Sequence, residues 1–514
     1  MGANGDHGPA GPIAGNDRIV RVLDALVTQS RTGGWGVREL AGMITESRST
    51  VNRVLQGLVQ RRLASVEGNG AYVVGPRLRV LADALHERHP VLREAPAIIS
   101  ELAGQCEATT AVVMHGPGPT TAFVCVLHEH AGPVRYGIRP GMILPLHAGS
   151  AGRAVLSALG LEALDGVALD QFTQDTVVDR QQLAEELDRA ARDGFVTSVG
   201  QHIPLAAGVA APFVTASGEV AAVSATRPRY STTDEDLARL GPLVRDAAAR
   251  LSALPPSVPD RGPIGTRTTD GTALGRFERL LDILVAQPAG ITAGRDLTAR
   301  IGARPATTTK LRTTAETTGI TRTTADGRIA AGPLLLRWAA VLGTRAPLAD
   351  LVADDLAELA AETGETSGLT VFDSATATAV LQATVPGPDP VRYELTTGAP
   401  VPLHAGAAGK VILAHCPPEV VEKQSLEALT PRTPTTRDQL ERDLRLIRER
   451  GWAQADGERI PDAFGLAAPF FAGDEVAGSV NLTIPRFRKD DLDLPRLTSL
   501  LRRTAGRITE LLTV

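Results

Sequence analysis

The stretch YGIRPGMILPLHAGSAGRAVLSALG at residues 136–160 recurs as YELTTGAPVPLHAGAAGKVILAHCP at residues 393–417, at an offset of 257 positions. The same offset aligns GFVTSVGQHIPLAAGVAAPF (194–213) with GWAQADGERIPDAFGLAAPF (451–470). Because the offset stays constant, neither copy has an insertion between these stretches, as expected for packed domains. Two copies of so long a unit do not fit a solenoid of short repeats. The 514-residue chain is therefore interpreted as a tandem fusion of two whole proteins.

The repeat extends upstream, where IVRVLDALV (19–27) resembles FERLLDILV (277–285). Between the copies, residues 255–272 are rich in Pro, Gly and Thr and show no apolar period, which predicts a linker. Residues 1–15 are predicted to be a disordered tail. They lack a basic segment followed by an apolar core, so we do not expect a signal peptide.

Charge is distributed unevenly along the chain. Residues 16–80 and 273–337 each hold ten Lys and Arg against five Asp and Glu, a charge of +5, although the whole chain carries −5. The net charge excludes a uniformly basic surface for binding membranes or nucleic acid. Locally, however, each copy has a basic block (16–80 or 273–337) followed by a longer acidic segment, called here its acidic body. Three scattered cysteines and the lack of any run of about 18 uncharged apolar residues favour a cytoplasmic protein without a membrane span.

The first basic block is predicted to be a winged helix-turn-helix domain. Its first helix has apolar residues at helical spacing from Ile19 to Val27, and Ser47 is the expected N-cap of a third helix. A hairpin signal, LASVEGNGAYVVG, follows. Opposite its apolar stripe, the third helix would present residue types that contact phosphates and base edges: Arg48, Ser49, Thr50, Asn52 and Arg53. The alternative is a small helical domain with a solvated arginine face.

The second basic block keeps less of this pattern. Thr307 and Lys310 occupy the positions of Thr50 and Arg53, whereas Arg312 and Ala315 replace two leucines of the apolar stripe. A run of threonines also lowers helix propensity. Specific recognition of DNA by this copy and a structural copy that does not recognise DNA therefore both remain open.

Each acidic body is predicted to be an α+β domain in which helices alternate with pairs of strands that form an antiparallel sheet. The repeated PLHAG-x-AG segment leads into a helix in both copies. Its small residues would bring backbone N–H groups close to an anionic ligand at the helix N-terminus. They could equally serve tight packing of the helix on the sheet.

No catalytic or metal site is expected. Ser150 lies in a partial GxSxG pattern, but Ala407 occupies the serine position of the second copy. His147 and His404 recur, whereas His128 and His130 have no counterpart, so hydrogen-bonded structural histidines are favoured over metal ligands. We therefore predict no enzyme activity, no metal and no cofactor.

The order of these motifs resembles the IclR type of bacterial transcription regulator. The resemblance rests on Arg48 to Arg53, the wing ending at Tyr72 to Arg77, Pro145 to Ala148 with Gly152, and Ala210 to Pro212. It implies a duplicated unit of a winged helix-turn-helix domain and an effector-binding (GAF/profilin-like) sensor domain. The implied boundaries are 16–80 and 273–338 for the DNA-binding domains, 81–91 and 339–348 for linker helices, and 92–254 and 349–514 for the effector-binding domains.

The resemblance also implies an effector cavity in each copy. Carried over by position, the first cavity would be lined by Ser150, Ala151, Ser198, Gly208, Ser224 and Thr226. The second would be lined by Ala407, Ala408, Ala455, Gly465, Asn481 and Thr483. An acidic residue and a cysteine that occur in family members binding small acids are absent here, and the two glycines suggest room for a bulkier ligand. The two cavities also differ in polarity.

The expected function is a ligand-responsive transcriptional regulator, either repressor or activator, that binds double-stranded operator DNA and a small organic effector. It would act as a homo-oligomer or as an intramolecular pseudo-dimer, with the first DNA-binding domain contributing more than the second. The alternative is an interaction scaffold whose helix-turn-helix units pair subunits without recognising DNA.

Overall fold

The computed structural model describes residues 15–29, 33–130, 136–256, 271–343, 347–388, 392–393 and 395–513. It divides into two units, of which the first holds the first copy together with the second DNA-binding domain, and the second holds the sensor domain of the second copy. The expected tail at 1–15 and the expected linker at 255–272 lie outside the described residues except at their ends.

The first DNA-binding domain is a three-helix winged fold. Its elements are α1 Gly15–Thr28, α2 Val37–Met43, α3 Arg48–Gln60, β1 Ala64–Val66 and β2 Tyr72–Val74. The apolar positions predicted in α1 are buried. Ser47 caps α3 as expected, because its Oγ accepts a hydrogen bond from the backbone N–H of Thr50 at 3.2 Å. Trp35 pairs with Tyr72 and extends the wing.

The first sensor domain is built on a six-stranded antiparallel sheet in the order β5-β4-β3-β8-β7-β6. It follows a linker helix, and the elements from there are α4 Pro76–Arg88, α5 Pro90–Cys106, β3 Thr109–His115, β4 Thr121–His128, β5 Ile143–Pro145, α6 Ser150–Leu159, a 3-10 helix Leu161–Gly166, α7 Arg180–Asp193, β6 Val196–Val199, β7 Ala206–Val214, β8 Val220–Pro228, a 3-10 helix Arg229–Ser231 and α8 Asp234–Ser252. Helices α5 and α8 pack together on the sheet, and α6 packs on it together with α7.

The second DNA-binding domain repeats the first. Its elements, ending with its linker helix, are α9 Ala273–Ala286, β9 Ile291–Thr292, α10 Arg295–Ile301, α11 Pro305–Thr317, β10 Thr321–Thr323, β11 Arg328–Ala331 and α12 Pro333–Leu342. Helix α11 is as long as α3 despite its threonines, because Leu311 and Ala315 are buried together with two threonines that face inwards. The weakened apolar stripe therefore still packs.

Both linker helices begin earlier than the boundaries expected at 81 and 339. Helix α4 starts at Pro76 and α12 starts at Pro333, each directly after a glycine in an extended conformation. Proline is favoured in the first turn of a helix, where its missing N–H has no partner to lose. The Gly-Pro pair therefore marks the helix start in both copies, and α4 ends at Arg88 rather than at 91.

The two DNA-binding domains pack against each other within the first unit, where α1 and α4 contact α9 and α12. Arg77 lies at the centre of this contact with 0% of its side chain exposed, and its guanidinium donates to Asp282 Oδ1 at 2.5 Å. Glu278 lies 3.9 Å from Arg77 and accepts a hydrogen bond from Arg61 at 2.7 Å. A buried guanidinium needs such carboxylates, because burial without a partner costs several kcal/mol, of the order of 3–5.

The second unit contains a sensor domain of the same kind. Its elements are α13 Leu348–Leu351, α14 Ala353–Thr363, β12 Thr366–Asp373, β13 Thr378–Val385, α15 Ala407–Leu413, α16 Pro418–Glu422, α17 Arg437–Arg450, β14 Ala453–Asp456, β15 Ala463–Ala472, β16 Glu475–Pro485, a 3-10 helix Arg486–Asp491 and α18 Leu494–Leu512. The five strands form an antiparallel sheet in the order β13-β12-β16-β15-β14. The duplicated α+β architecture expected from the sequence is confirmed.

Across the described part of the chain, no helix combines the length and the apolar character that crossing a membrane requires. The three cysteines, Cys106, Cys125 and Cys416, are buried and not bridged to one another.

Removal of the Arg77 guanidinium should destabilise the paired DNA-binding domains. We expect Arg77→Met to lower their free energy of unfolding by about 3–5 kcal/mol, because Asp282 loses its cation while it stays buried. Arg300→Met is the matched control, since Arg300 pairs with Asp296 on the surface and the loss should stay below about 1 kcal/mol. Urea denaturation followed by tryptophan fluorescence measures both. Equal effects of the two variants would contradict the burial argument.

Candidate functional sites

The first sensor domain contains a cavity of about 720 Å³, a volume that includes space continuous with solvent. All six residues expected there line it: Ser150, Ala151, Ser198, Gly208, Ser224 and Thr226. Strand register explains the grouping, because Ser198 pairs with Gly208, and Gly208 pairs with Thr226 on the next strand. Side chains two positions apart on a strand share a face, so Ser224 and Thr226 both point to the cavity.

The repeated PLHAG-x-AG segment places some of its small residues on the cavity and uses others for close packing. Gly149, at φ 79°, precedes α6 in a backbone conformation that favours glycine, and it lines the cavity with Ser150 and Ala151. Gly152 instead permits close packing, because a Cβ there would lie 2.0 Å from the carbonyl oxygen of Pro145. In the second copy, a Cβ at Gly409 would lie 1.9 Å from the carbonyl oxygen of Pro402.

The room expected at Gly208 for a bulkier ligand is already occupied. A Cβ at this position would lie 2.7 Å from Ser150 Oγ, so the serine side chain fills the space that the glycine leaves. In the second copy the corresponding neighbours are Gly465 and Ala407, with a distance of 3.4 Å from the added Cβ to the Ala407 Cβ. The space beside Gly208 is thus taken by Ser150, and room for a bulkier ligand elsewhere in the first cavity stays a prediction.

Two polar residues of the first cavity, Gln201 and His202, were missed by the sequence analysis. They lie on the turn between β6 and β7, which two threonines hold in place. Thr173 Oγ1 donates to the carbonyl oxygen of Gly200 at 2.8 Å, and Thr176 Oγ1 donates to that of Gln201 at 2.7 Å. The aligned segments GQHIP and GERIP could have indicated these cavity residues. Both copies have two polar residues at this point, Gln201 with His202 and Glu458 with Arg459, but their charges differ.

A buried cation positions Gln201. Arg153 on α6 is 3% exposed, forms an ion pair with Glu186 on α7, and donates to Gln201 Oε1 at 2.7 Å. Ser198 Oγ also donates to Gln201 Oε1, at 3.2 Å. Because the charge of Arg153 is compensated by Glu186, the cavity wall itself presents no free ionic group from this cluster.

The repeated histidines are hydrogen-bonded to the backbone in both copies. His147 Nε2 lies 2.8 Å from the carbonyl oxygen of Asp170, and His404 Nε2 lies 2.9 Å from that of Glu427. The described residues contain no group of three His, Cys, Asp or Glu that could hold a metal ion. Burial, together with the nearby His147, lowers the pKa of His202, so this cavity residue is neutral at pH 7.

The second sensor domain contains a cavity of about 570 Å³. The six residues expected there also line it: Ala407, Ala408, Ala455, Gly465, Asn481 and Thr483. Asn481 Oδ1 accepts a hydrogen bond from Thr370 at 3.2 Å, which fixes the amide. The alanine at 407 removes the hydroxyl that Ser150 supplies in the first copy.

Charged groups distinguish the second cavity from the first. Lys410, at the position of Arg153, donates to Asp443 and Glu458 at 2.6 Å each. Glu458 Oε2 also accepts from the backbone N–H of Gly406 at 3.1 Å, so both of its oxygens are engaged. Arg459 lines the cavity beside it and donates through one amino group to the carbonyl oxygen of Pro400 at 3.2 Å.

Helix α3 exposes the arginines expected to contact DNA. Arg48, Ser49 and Arg53 are exposed, whereas Thr50 and Asn52 are half-buried. Thr50 also takes part in the helix cap, since its Oγ1 accepts from Ser47 Oγ at 2.8 Å. Helix α11 places Lys310 on the surface and Thr307 half-buried at the equivalent positions. The structure therefore keeps basic side chains on both third helices.

Comparison with known proteins gives the family of the repeated unit. The family model for the C-terminal domain of bacterial transcriptional regulators of the IclR type matches twice, at residues 84–253 and 341–510. These two matches are offset by the same distance as the internal repeat, and together they cover more than half of the chain.

Known relatives match about half of the chain. The HTH-type transcriptional regulator BhcR of Paracoccus denitrificans is 28% identical over 256 residues, which cover 48% of this chain and 90% of BhcR. The HTH-type transcriptional repressor AllR of Salmonella typhi is 28% identical over 258 residues, which cover 48% of this chain and 94% of AllR. A solved IclR homologue of Microbacterium hydrocarbonoxydans, complexed with 4-hydroxybenzoate, is 22% identical, with a TM-score of 0.40 and coverage of 46% of this chain and 98% of the homologue.

Proposed function

We propose a mechanism on the premise that this chain belongs to the IclR family of bacterial transcriptional regulators. The two sensor domains bind small organic effectors, and the two winged helix-turn-helix domains bind operator DNA as a pair within one chain. The observation that carries the proposal is the buried contact between the two DNA-binding domains, centred on Arg77 and Asp282. This contact gives one chain the paired arrangement that such proteins otherwise obtain from two identical subunits.

DNA contact is assigned to the exposed faces of α3 and α11. Arg53 and Lys310 occupy equivalent positions, and within the described residues neither side chain has a hydrogen-bonding or ionic partner. The scaffold alternative would need these helices to bind a protein surface. It gains no support from the basic side chains, because the pairing uses mainly α1, α4, α9 and α12, with a smaller contact of α11 on α1, and leaves Arg53 and Lys310 exposed.

Catalysis forms no part of the proposed mechanism. Ser150 is 6% exposed and lines the cavity, but among the described residues no hydrogen bond joins its hydroxyl to a histidine. A serine nucleophile requires a base within hydrogen-bond distance of its hydroxyl. We assign Ser150 to effector binding instead.

The two cavities suit different classes of ligand. The first presents apolar side chains with hydroxyl and amide groups and a neutral His202, which suits an uncharged molecule with a few hydroxyl groups. The second presents Arg459, which among the described residues donates one hydrogen bond, through Nη2, and can pair with a carboxylate. The two sensor domains would then respond to two compounds rather than to one.

The first sensor domain is positioned to control the second DNA-binding domain. Arg337 on α12 donates to the carbonyl oxygen of Gly141 at 2.8 Å. The backbone N–H of Gly141 donates to the carbonyl oxygen of Val124, and Met142 is the next residue along the chain. Both Val124 and Met142 line the first cavity. A Cβ at Gly141 would lie 2.0 Å from the Val341 side chain, so the linker helix packs directly on this loop.

A second contact joins the same two domains through the wing. Arg322 on β10 donates to the carbonyl oxygen of Ser217 at 2.8 Å and to Glu219 Oε1 at 2.5 Å. Glu219 is buried, which would raise its pKa, but the hydrogen bond and charge of His89 and the charge of Arg322 lower the pKa well below its ordinary value. The carboxylate therefore stays ionised, and the β7–β8 hairpin stays joined to the wing.

These contacts give the coupling a direction. Val80 stands at the position equivalent to Arg337 and Ser65 at that equivalent to Arg322, so the first copy lacks both cations. An effector in the first cavity would change the position of β7, β8 or the Gly141 loop and thereby shift the second DNA-binding domain. By linkage, DNA binding must in turn change the first cavity.

A matched pair of probes tests the assigned ligand classes. We expect 4-hydroxybenzyl alcohol to bind the first cavity and 4-hydroxybenzoate to bind the second, as measured by calorimetric titration of the full chain. Arg459→His, which installs the residue of the first copy, should weaken carboxylate binding about tenfold or more, since a hydrogen bond to a charged group contributes about 1.5–3 kcal/mol. Ser150→Ala should weaken only the alcohol. Loss of both probes in one variant would show that they share a cavity.

Phosphate contacts should make DNA binding steeply dependent on salt. The probe is the fragment most enriched when the protein is mixed with sheared DNA from its own source. We expect its affinity to fall steeply between low and high salt, and Arg53→Ala to weaken it by about 1–3 kcal/mol if Arg53 contacts a base. Arg192→Ala on the exposed surface of α7 is the control for loss of charge. A flat salt dependence would argue against contact through the basic blocks.

The coupling route can be tested without knowledge of the effector. Binding of the same DNA fragment should alter amide hydrogen exchange in residues 138–145 and in the β7–β8 hairpin of the wild-type chain. The double variant Arg322→Met with Arg337→Met should bind DNA yet lose most of this change, because the polar contacts that join the two domains are removed. Arg328→Met, on the same wing beside Asp326, should behave as wild type. Retention of the change in the double variant would exclude this route.

A further inference from the structure

The contact between the two DNA-binding domains uses equivalent positions in unlike ways. Helices α1 and α9 align with an offset of 258, which places Asp24 at the position of Asp282 and Val20 at that of Glu278. Asp282 accepts from Arg77 on α4, whereas Asp24 accepts from the indole N–H of Trp338 on α12 at 2.9 Å. The two halves of the contact thus use equivalent backbone positions but different side-chain interactions.

The partner residues differ in the same manner. Helices α4 and α12 align with an offset of 257, so that Leu334 stands at the position of Arg77 and Leu81 at that of Trp338. Arg61, which donates to Glu278, has Thr318 as its equivalent. One half of the contact therefore contains a buried guanidinium beside two carboxylates, and the other contains a buried tryptophan beside the ion pair of Asp24 with Arg337.

Pairing of like copies would satisfy neither half. Two second copies would set the buried Glu278 against Thr318 and Leu334, so that Arg61 and Arg77, the two cations of the first copy that face it here, would both be lost. Two first copies would set Arg61 against Val20 and would place Leu81 where the larger Trp338 fills the space, which leaves a cavity. Only a first copy against a second copy fills both halves, so the pair is necessarily unlike.

The helices offered to DNA by this unlike pair differ as well. Where α3 carries Arg48, Asn52 and Arg53, α11 carries Pro305, Thr309 and Lys310. Asparagine recognises adenine, whereas threonine contacts either kind of base. Arginine forms two parallel hydrogen bonds to guanine, whereas lysine contacts guanine without the planar pair of donors. The caps differ too, because Ser47 caps α3 through its side chain and Arg304 makes no such bond to α11.

We propose that one chain recognises a non-palindromic DNA site made of two unlike half-sites in a fixed order. Palindromic operators mirror the two-fold symmetry of proteins with identical subunits, and this contact removes that symmetry. The first half-site is read by α3 and the second by α11, and the pairing of α1, α4, α9 and α12 fixes their spacing. This inference rests on the proposed function, since it assumes that the chain recognises DNA.

Selection from random duplex DNA with the full-length chain tests the inference. The wild-type motif should contain two different half-sites that are not related by two-fold symmetry. Arg53→Ala should remove base preference from one half-site only, and Lys310→Ala should remove it from the other only. Both residues are exposed and lie outside the contact between domains, so neither variant should affect folding. Arg192→Ala should leave the whole motif unchanged.

The outcomes separate the inference from the function that it assumes. A palindromic motif, or loss of both half-sites on Arg53→Ala alone, would overturn the inference while DNA recognition stands. A single half-site that Lys310→Ala leaves unchanged would also overturn it, because α11 would then contribute no recognition. Failure to enrich any sequence at low salt would overturn the proposed function together with the inference.

Discussion

The buried guanidinium of Arg77 is the constraint on which the arrangement of the first unit depends. A charge with no exposed surface is tolerated only beside compensating carboxylates, and here Asp282 and Glu278 of the other copy supply them. Neither DNA-binding domain can satisfy this group alone. The pairing then fixes where α12 lies, and α12 in turn places Arg337 against the loop beside the first cavity. One ionic cluster thus fixes the contact between the paired DNA-binding domains and the loop beside the first cavity.

The sensor domains show which parts of a duplicated site must be retained. The glycines at 152 and 409 permit the same close approach to a carbonyl oxygen, and His147 and His404 make equivalent hydrogen bonds to the backbone. These groups hold the chain in place and do not select a ligand. Residues that face the cavity differ between the copies, as Ser150 does from Ala407. Residues that support the backbone are therefore the same in both copies, whereas residues that face the cavity can differ from one copy to the other.

Local patterns in the sequence were sufficient for the elements, whereas the cavity lining was carried over by position from the family resemblance. Helical spacing in α1 and the cap at Ser47 depend on neighbours in the sequence, so they could be predicted. The contact of Arg77 with Asp282 could not, because the two residues are 205 positions apart and each resembles an ordinary surface charge in the sequence. Gln201 was missed for a related reason, since its orientation depends on the buried Arg153 from another element.

Fusion of the two copies explains why their contact could lose its symmetry. In a pair of identical chains, every substitution at the contact appears twice, so an added tryptophan or carboxylate must be accommodated on both sides of the axis. In a single fused chain the substitution appears only once, so one complementary change in the facing domain is sufficient to accommodate it. Covalent linkage in one chain also keeps the two domains at a high effective concentration, so an unlike contact competes favourably with pairing between chains. The ionic cluster around Arg77 and the buried Trp338 are two such complementary changes, one in each half of the contact. Once each half is different, the DNA-contacting helices are no longer required to match.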